Sequence, residues 1–247
     1  MSGHSKWHNI QATKGKADNA RGKIFTKIGR ELVVAVKAGG ADVNTNAKLR
    51  DVIAKAKQNN MPNDNITRSI KKASGELGNV NYEEITYEGY GINGSALIVK
   101  CLTDNKNRTA GDVRHTFDKY GGNLGSLGCV SYLFDNKGIL TIEKTDKIKE
   151  EELVDLCLEA DAEDVVNDGD VFEVVTTPTN FSSVKEFLEN KGYVFSSTAM
   201  LMIPQNTIEL SPQQQESFEK LVNSLEDLDD VQDVYHNVEL KCDEEEE

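Results

Sequence analysis

The 247-residue chain contains no run approaching the ~20 consecutive apolar residues of a membrane-spanning helix, and its first residues lack the apolar stretch of a secretory signal. A cytoplasmic protein with no membrane partner is therefore expected. Cysteine is scarce and scattered: Cys101, Cys129, Cys157 and Cys242 form no C-x-x-C pair, which removes the usual signature of a zinc site or a redox dithiol. They read as the reduced thiols of a cytosol. No G-x-S-x-G, phosphate-binding loop, paired-acid or Cys/His arrangement can be assembled, so neither a cofactor nor an enzyme activity is expected. His4 and His8 stand four apart without Cys or Glu partners, and no metal site is expected there. The glycines of residues 120–128 follow a predicted helix and precede a strand, the reverse of a dinucleotide-binding order, and read as a helix cap and turn.

Basic residues are outnumbered, 28 Lys and Arg against 42 Asp and Glu, for a net charge of -14. Their distribution is uneven. Residues 1–75 hold 15 of the 28 and only 5 of the 42, a charge of +10, which leaves 13 against 37, or -24, for residues 76–247. A basic module that meets a polyanion, joined to acidic modules with another task, fits this division.

Hydrophobic spacing supplies the architecture. Residues 1–22 show no sustained period and read as a basic arm carrying the single Trp7. From Ile24 a helical stripe runs through Phe25, Ile28, Leu32 and Val36 to a stop at Gly39-Gly40. A second helix follows the cap candidates Asn44-Thr45-Asn46 and ends before Met61-Pro62; a third follows Asn63-Asp64-Asn65 and ends near Gly75 or Gly78. Beyond Gly78 the period becomes that of strands. "YEEITYEGYG" and "SALIVKCLT" flank the Asn93-Gly94 turn signal as a hairpin, "RTAGDVRHTFDKYGG" reads as a helix, and "CVSYLF" as a further strand. Asn136-Lys137-Gly138 is predicted to turn the chain into strand 139–143, opening a βαββαβ order: helix 150–160, strands 163–167 and 171–176, helix 180–190, strand 193–203. The tail offers a strand near "TIEL", a helix from Ser211-Pro212 to about Leu228 and a strand in "VQDVYHNVEL". The predicted fold is multidomain, α and α+β: an N-terminal three-helix bundle (1–78) followed by two ferredoxin-like α+β domains, one (136–205) inserted in the other (79–135 with 206–247).

Candidate contacts follow from the charge. On a helix at 100° per residue, Lys23, Lys27, Arg30 and Lys37 fall within roughly 80° of one another and opposite the apolar stripe, a face expected to present cations. The arm adds Lys6, Lys14, Lys16 and Arg21, and the next two helices add Lys48, Arg50, Lys55, Lys57, Arg68, Lys71 and Lys72. Such a surface binds phosphates without reading sequence; Trp7 could stack on a base or pack on the bundle. In "TDNKNRT" (103–109), Asp104 or Asn107 can cap the following helix, while Lys106, Arg108 and Arg114 form a secondary phosphate-contacting patch. The acids lie on amphipathic helices and would repel nucleic acid, confining contact to the first domain and leaving the α+β domains to position it or meet protein partners. A monomer is favoured, and the absence of a zipper or half-site pattern, with an extended basic arm, suits irregular RNA better than duplex DNA.

Taken together, "GHSKWHNI", "RGKIFTKIGREL", "NMPNDNITRSIKKASGE", "YEEITYEGYG", "CLTDNKNRTAGDVRH" and "GGNLG" closely resemble the YebC/PmpR family, which includes the mitochondrial translational activator of cytochrome c oxidase. The pattern departs at Ala12-Thr13 and Asn19-Ala20, where the family carries more basic residues. The resemblance implies one helical and two α+β domains and a bacterial DNA-binding regulator of transcription. It also admits a translation factor that binds rRNA or tRNA on the ribosome and assists synthesis through proline runs. An enzyme with a site between the α+β domains is the least supported reading.

Overall fold

The computed structural model describes residues 20–75 and 81–240. The chain divides into two compact units, each described by itself: one holds Gly15–Ser131 and Glu209–Val238, the other Tyr132–Ile208 with Glu239.

The first unit begins with three helices, α1 (Ala20–Gly39), α2 (Ala47–Gln58) and α3 (Asn63–Ser74). Their apolar stripes meet in a core of Ile28, Leu32, Ala35, Leu49, Ala56 and Ile66, with Phe25 and Ile70 packed against it. Burying stripes that no single short helix could cover is what holds these elements together. Gly40, at φ +84°, ends α1 in the left-handed region that glycine adopts without strain, and its N–H closes on Val36 O. Of the three cap candidates it is Asn46 that caps α2, its side chain accepting from Leu49 N–H. Two boundaries differ from expectation. The first helix starts four residues earlier than the stripe beginning at Ile24 implied. The third already starts at Asn63, because Pro62 at φ −58° presents its carbonyl to the N–H groups of Asn65 and Ile66.

The same unit continues with β1 (Glu83–Tyr90), β2 (Ala96–Thr103), α4 (Lys106–Lys119) and the short β3 (Asn123–Leu124). The hairpin pairs Tyr90 with Ala96 through Glu83 with Thr103, and Asn93 at φ 56° and Gly94 at +74° form its turn. After the other unit, the chain returns through β8 (Ile208–Glu209), α7 (Pro212–Glu226), β9 (Val231–His236) and β10 (Val238–Glu239). Strand β9 lies against β2, so the sheet runs β3-β1-β2-β9 and is built from segments on both sides of residues 132–208. Ser211 opens α7 with a reciprocal capping box to Gln214, as its Ser-Pro start suggested. The predicted last strand is two: at Asn237, whose side chain accepts from Ala96 N–H, β9 gives way to β10, which pairs with β8.

The second unit follows the βαββαβ order: β4 (Phe134–Glu143), α5 (Glu150–Glu159), β5 (Asp164–Asp168), β6 (Val171–Thr176), α6 (Phe181–Asn190) and β7 (Ser197–Pro204). Its antiparallel sheet runs β5-β6-β4-β7, the ferredoxin-like arrangement, and Leu140, Ile142, Phe172 and Val174 pack on Leu153, Cys157, Val184 and Leu188 of its helices. Two expectations are corrected here. "CVSYLF" is not a strand of its own: Ser131–Leu133 is a single 3₁₀ turn, because the buried Glu88 carboxylate takes the N–H groups of Gly128, Val130 and Ser131. Nor is Asn136-Lys137-Gly138 a turn; it lies inside β4, with Asn136 and Gly138 opposite Met202 and Met200 of β7. A β-carbon at Gly138 would collide with the Phe181 ring and Thr176 Oγ1, so this glycine serves close packing of α6 on the sheet. The described residues contain no helix long and apolar enough to cross a membrane.

Candidate nucleic-acid interface

Three of the four cations predicted to project from α1 are instead drawn onto the acidic corner between α7 and β9. Lys23 Nζ pairs with Asp227 Oδ1 at 2.8 Å, and Lys27 Nζ donates to Glu226 O at 2.9 Å. Arg30 Nη1 donates to Leu102 O at 3.1 Å and forms a close ion pair with Asp230 Oδ1. Farther along, Lys37 Nζ donates to Asn81 Oδ1 at 2.8 Å. The expectation of a free cationic face on this helix is thus corrected: helical spacing placed these side chains together, but carboxylates some 200 residues away in sequence answer Lys23 and Arg30, a backbone carbonyl takes Lys27, and the Asn81 side chain takes Lys37.

Asp230 is the centre of that corner. It is 5% exposed and receives Arg108 Nη2 at 2.7 Å, Thr109 Oγ1 at 2.7 Å and Thr103 Oγ1 at 3.1 Å besides Arg30. Burial by itself would raise its carboxyl pKa, but the hydrogen bonds from Arg108, Thr109 and Arg30 outweigh it and hold the value at about 2. The hydrogen bond to Asp230, and after it the one to Asp104, raise the Arg108 guanidinium in turn. Next to this network, burial pushes the Cys101 thiol up to about 12. Beside Asp230 opens a cleft of about 550 Å³ lined by Arg30, Arg108, Thr109, Asp104, Asp112 and Asp227–Asp230. Its innermost carboxylate is ionised and engaged by four side chains, which ill suits it to act as a base or nucleophile. Among the described residues no group of three or more His, Cys, Asp and Glu could hold a metal ion.

The "TDNKNRT" loop is capped by neither Asp104 nor Asn107 but by Asn105, whose side chain accepts from Arg108 N–H. Thr103 Oγ1 takes the Asn105 N–H and so orients the cap. Lys106 pairs closely with Glu83, Arg108 is tied to Asp230, and only Arg114 of the expected secondary patch is exposed without an ion pair among the described residues. On α2, Arg50 donates to the carbonyls of Val43 and Asn44, Lys55 pairs with Glu31, and Lys48 with Glu84 at 3.6 Å.

A different set remains open. Lys57, at the end of α2, and Arg68, Lys71 and Lys72 on α3 are exposed and form no ion pair among the described residues. On α3, Lys71 and Lys72 flank Arg68 at three and four residues, on the side opposite Ile66, Ile70 and Ala73, whose burial fixes which way the cations face. Lys6, Trp7, Lys14 and Lys16 lie outside the described residues, and of Arg21 only its place in α1 is described. Sequence reasoning missed Asp227 and Asp230 as partners; their signal was the "EDLDD" run before a predicted strand.

Comparison with known proteins supplies a family. A model described as TACO1/YebC protein N-terminal domain matches residues 5–76, and one described as TACO1/YebC second and third domain matches residues 82–238. A relative from Clostridium tetani named "Probable transcriptional regulatory protein" is 59% identical over 97% of this chain and 98% of its own. One of the same name from Ruminiclostridium cellulolyticum is 59% identical across 100% of both chains. The crystal structure of a conserved hypothetical protein from Aquifex aeolicus, 42% identical, superposes with a TM-score of 0.79 over 94% of this chain and 96% of that one.

Proposed function

The chain belongs to the TACO1/YebC family, and from that premise we propose that it regulates gene expression by binding nucleic acid through the cations of α2 and α3, with duplex DNA in transcriptional control as its first target. The relatives' name supports a regulatory role. The observation that carries the binding step is the open row Arg68, Lys71 and Lys72 on the face of α3 opposite the bundle core, with Lys57 exposed at the end of α2. Each such cation can meet one phosphate and release its counterion, giving affinity that falls with salt. In this reading residues 1–78 are the contact domain, while the discontinuous domain of 79–135 and 206–247 and the inserted domain of 136–205 position it or meet protein partners in the cytoplasm.

The test is fluorescence anisotropy with a mixed-sequence DNA duplex and an RNA hairpin across a salt series. Replacing Arg68, Lys71 and Lys72 by Glu should weaken binding by about tenfold or more and flatten the plot of log K against log salt by about 3. Unchanged binding would overturn the proposal. Preference for the hairpin, with ribosome co-sedimentation that survives DNase, would move the target from DNA to the translation machinery.

A further inference from the structure

Burial is graded along the row of contacts that α1 makes with the α7–β9 corner. The side chains of Lys23 and Asp227 are 43% and 71% exposed, whereas those of Arg30 and Asp230 are 14% and 7% exposed. The inner pair shares its carboxylate with Arg108, Thr103 and Thr109. An exposed Lys–Asp pair is held weakly and screened by salt, while a buried, multiply bonded carboxylate is costly to strip of its partners. The helix is therefore riveted at Arg30 and only latched at Lys23, with Lys27 between them on the Glu226 carbonyl. Asp229 lines the same corner, exposed and without an ion pair among the described residues, so it adds negative potential beside the latch.

We propose that the turn Glu226–Asp229 is a phosphate surrogate in cis: it occupies Lys23 and Lys27 until a nucleic-acid backbone exchanges with it, adding these two lysines to the α2 and α3 contact. The exchange replaces carboxylate and carbonyl oxygens with phosphate oxygens, so the lysines change partners without being left bare. Arg30 stays on Asp230 throughout, which keeps α1 in place while its outer end is exchanged. This inference rests on the function proposed above.

A double-mutant cycle separates the latch from general charge effects. Wild-type protein, Asp227→Asn/Asp229→Asn, Lys23→Gln/Lys27→Gln and the combined variant are titrated against the labelled DNA duplex and RNA hairpin. Asp155→Asn/Glu159→Gln on α5 is the control of equal charge change. The Asp variant should bind up to about fivefold tighter, the ceiling for releasing one exposed pair. Removing the lysines should lower affinity far more in the Asp variant than in wild type. An additive cycle, or an equal gain in the control, overturns the latch alone. If wild type and every variant fail to bind either probe, the proposed function fails and takes the latch with it.

Discussion

Asp230 draws two guanidinium groups and two threonine hydroxyls onto one buried carboxylate, and its removal would leave Arg30 facing no counter-charge in a site 14% exposed. Asp230→Ala should cost about 3 kcal/mol in urea unfolding, the low end for breaking a buried pair because Arg108 can turn to water. Arg108→Ala should cost less, since that side chain is 46% exposed. The ionised Asp230 contributes stability that is complete above its ordinary value of 3.8 and is lost as pH falls through about 2. His236 acts in a separate window. Buried against Phe218 in an edge-to-face contact, with Nδ1 unpartnered among the described residues, it is desolvated and its pKa lies at about 4 rather than 6.5. Above 6.5 both states are neutral; between 6.5 and 4 only the unfolded chain takes up the proton, so stability falls with pH by about 3 kcal/mol across that interval. Urea midpoints measured from pH 7 down to pH 4 should show His236→Gln losing less stability than wild type; parallel curves would exclude this assignment.

At the scale of elements, Asn46 joins two helices with one side chain. Its Oδ1 caps α2 at Leu49 N–H, while Nδ2 donates to Ala35 O and Gly40 O at the end of α1. Asn46→Ala removes all three bonds in a site 5% exposed and should destabilise the bundle by about 2 kcal/mol, read from thermal unfolding; a loss within experimental error would show the cap to be dispensable. Helices and strands with a clear apolar stripe were legible in the sequence because 3.6- and 2-residue periods report directly on which face is buried. The misread stretches were those governed by distant residues. Residues 129–133 have strand-like composition, but Glu88, some forty residues earlier, takes the N–H groups of Val130 and Ser131. Gly138 resembles a turn residue, and only the nearness of Phe181 and Thr176 explains why a strand needs glycine there. The same limit applied to α1: spacing located its cations, while the acids that hold Lys23 and Arg30 belong to a corner no local pattern could bring near.

For the whole molecule, +10 on residues 1–75 against -24 on the remainder implies an oriented approach to any polyanion. Ultraviolet cross-linking of bound RNA or DNA followed by mass spectrometry should map contacts to residues 57–72, and contacts concentrated in β4–β7 would contradict that orientation. The strand order β3-β1-β2-β9 bears on how the protein is made as well as how it works. A chain leaving the ribosome has every strand and helix of residues 132–208 available before Val231 is translated, whereas the sheet on either side of that segment has no β9 until the end of synthesis. Strands β4–β7 and their helices can therefore pair first, and the earlier-made half of the other sheet waits with the edge of β2 uncovered. Asp230 precedes β9 by one residue, so the clasp on Arg30 and Arg108 is among the last contacts to form in a newly made molecule.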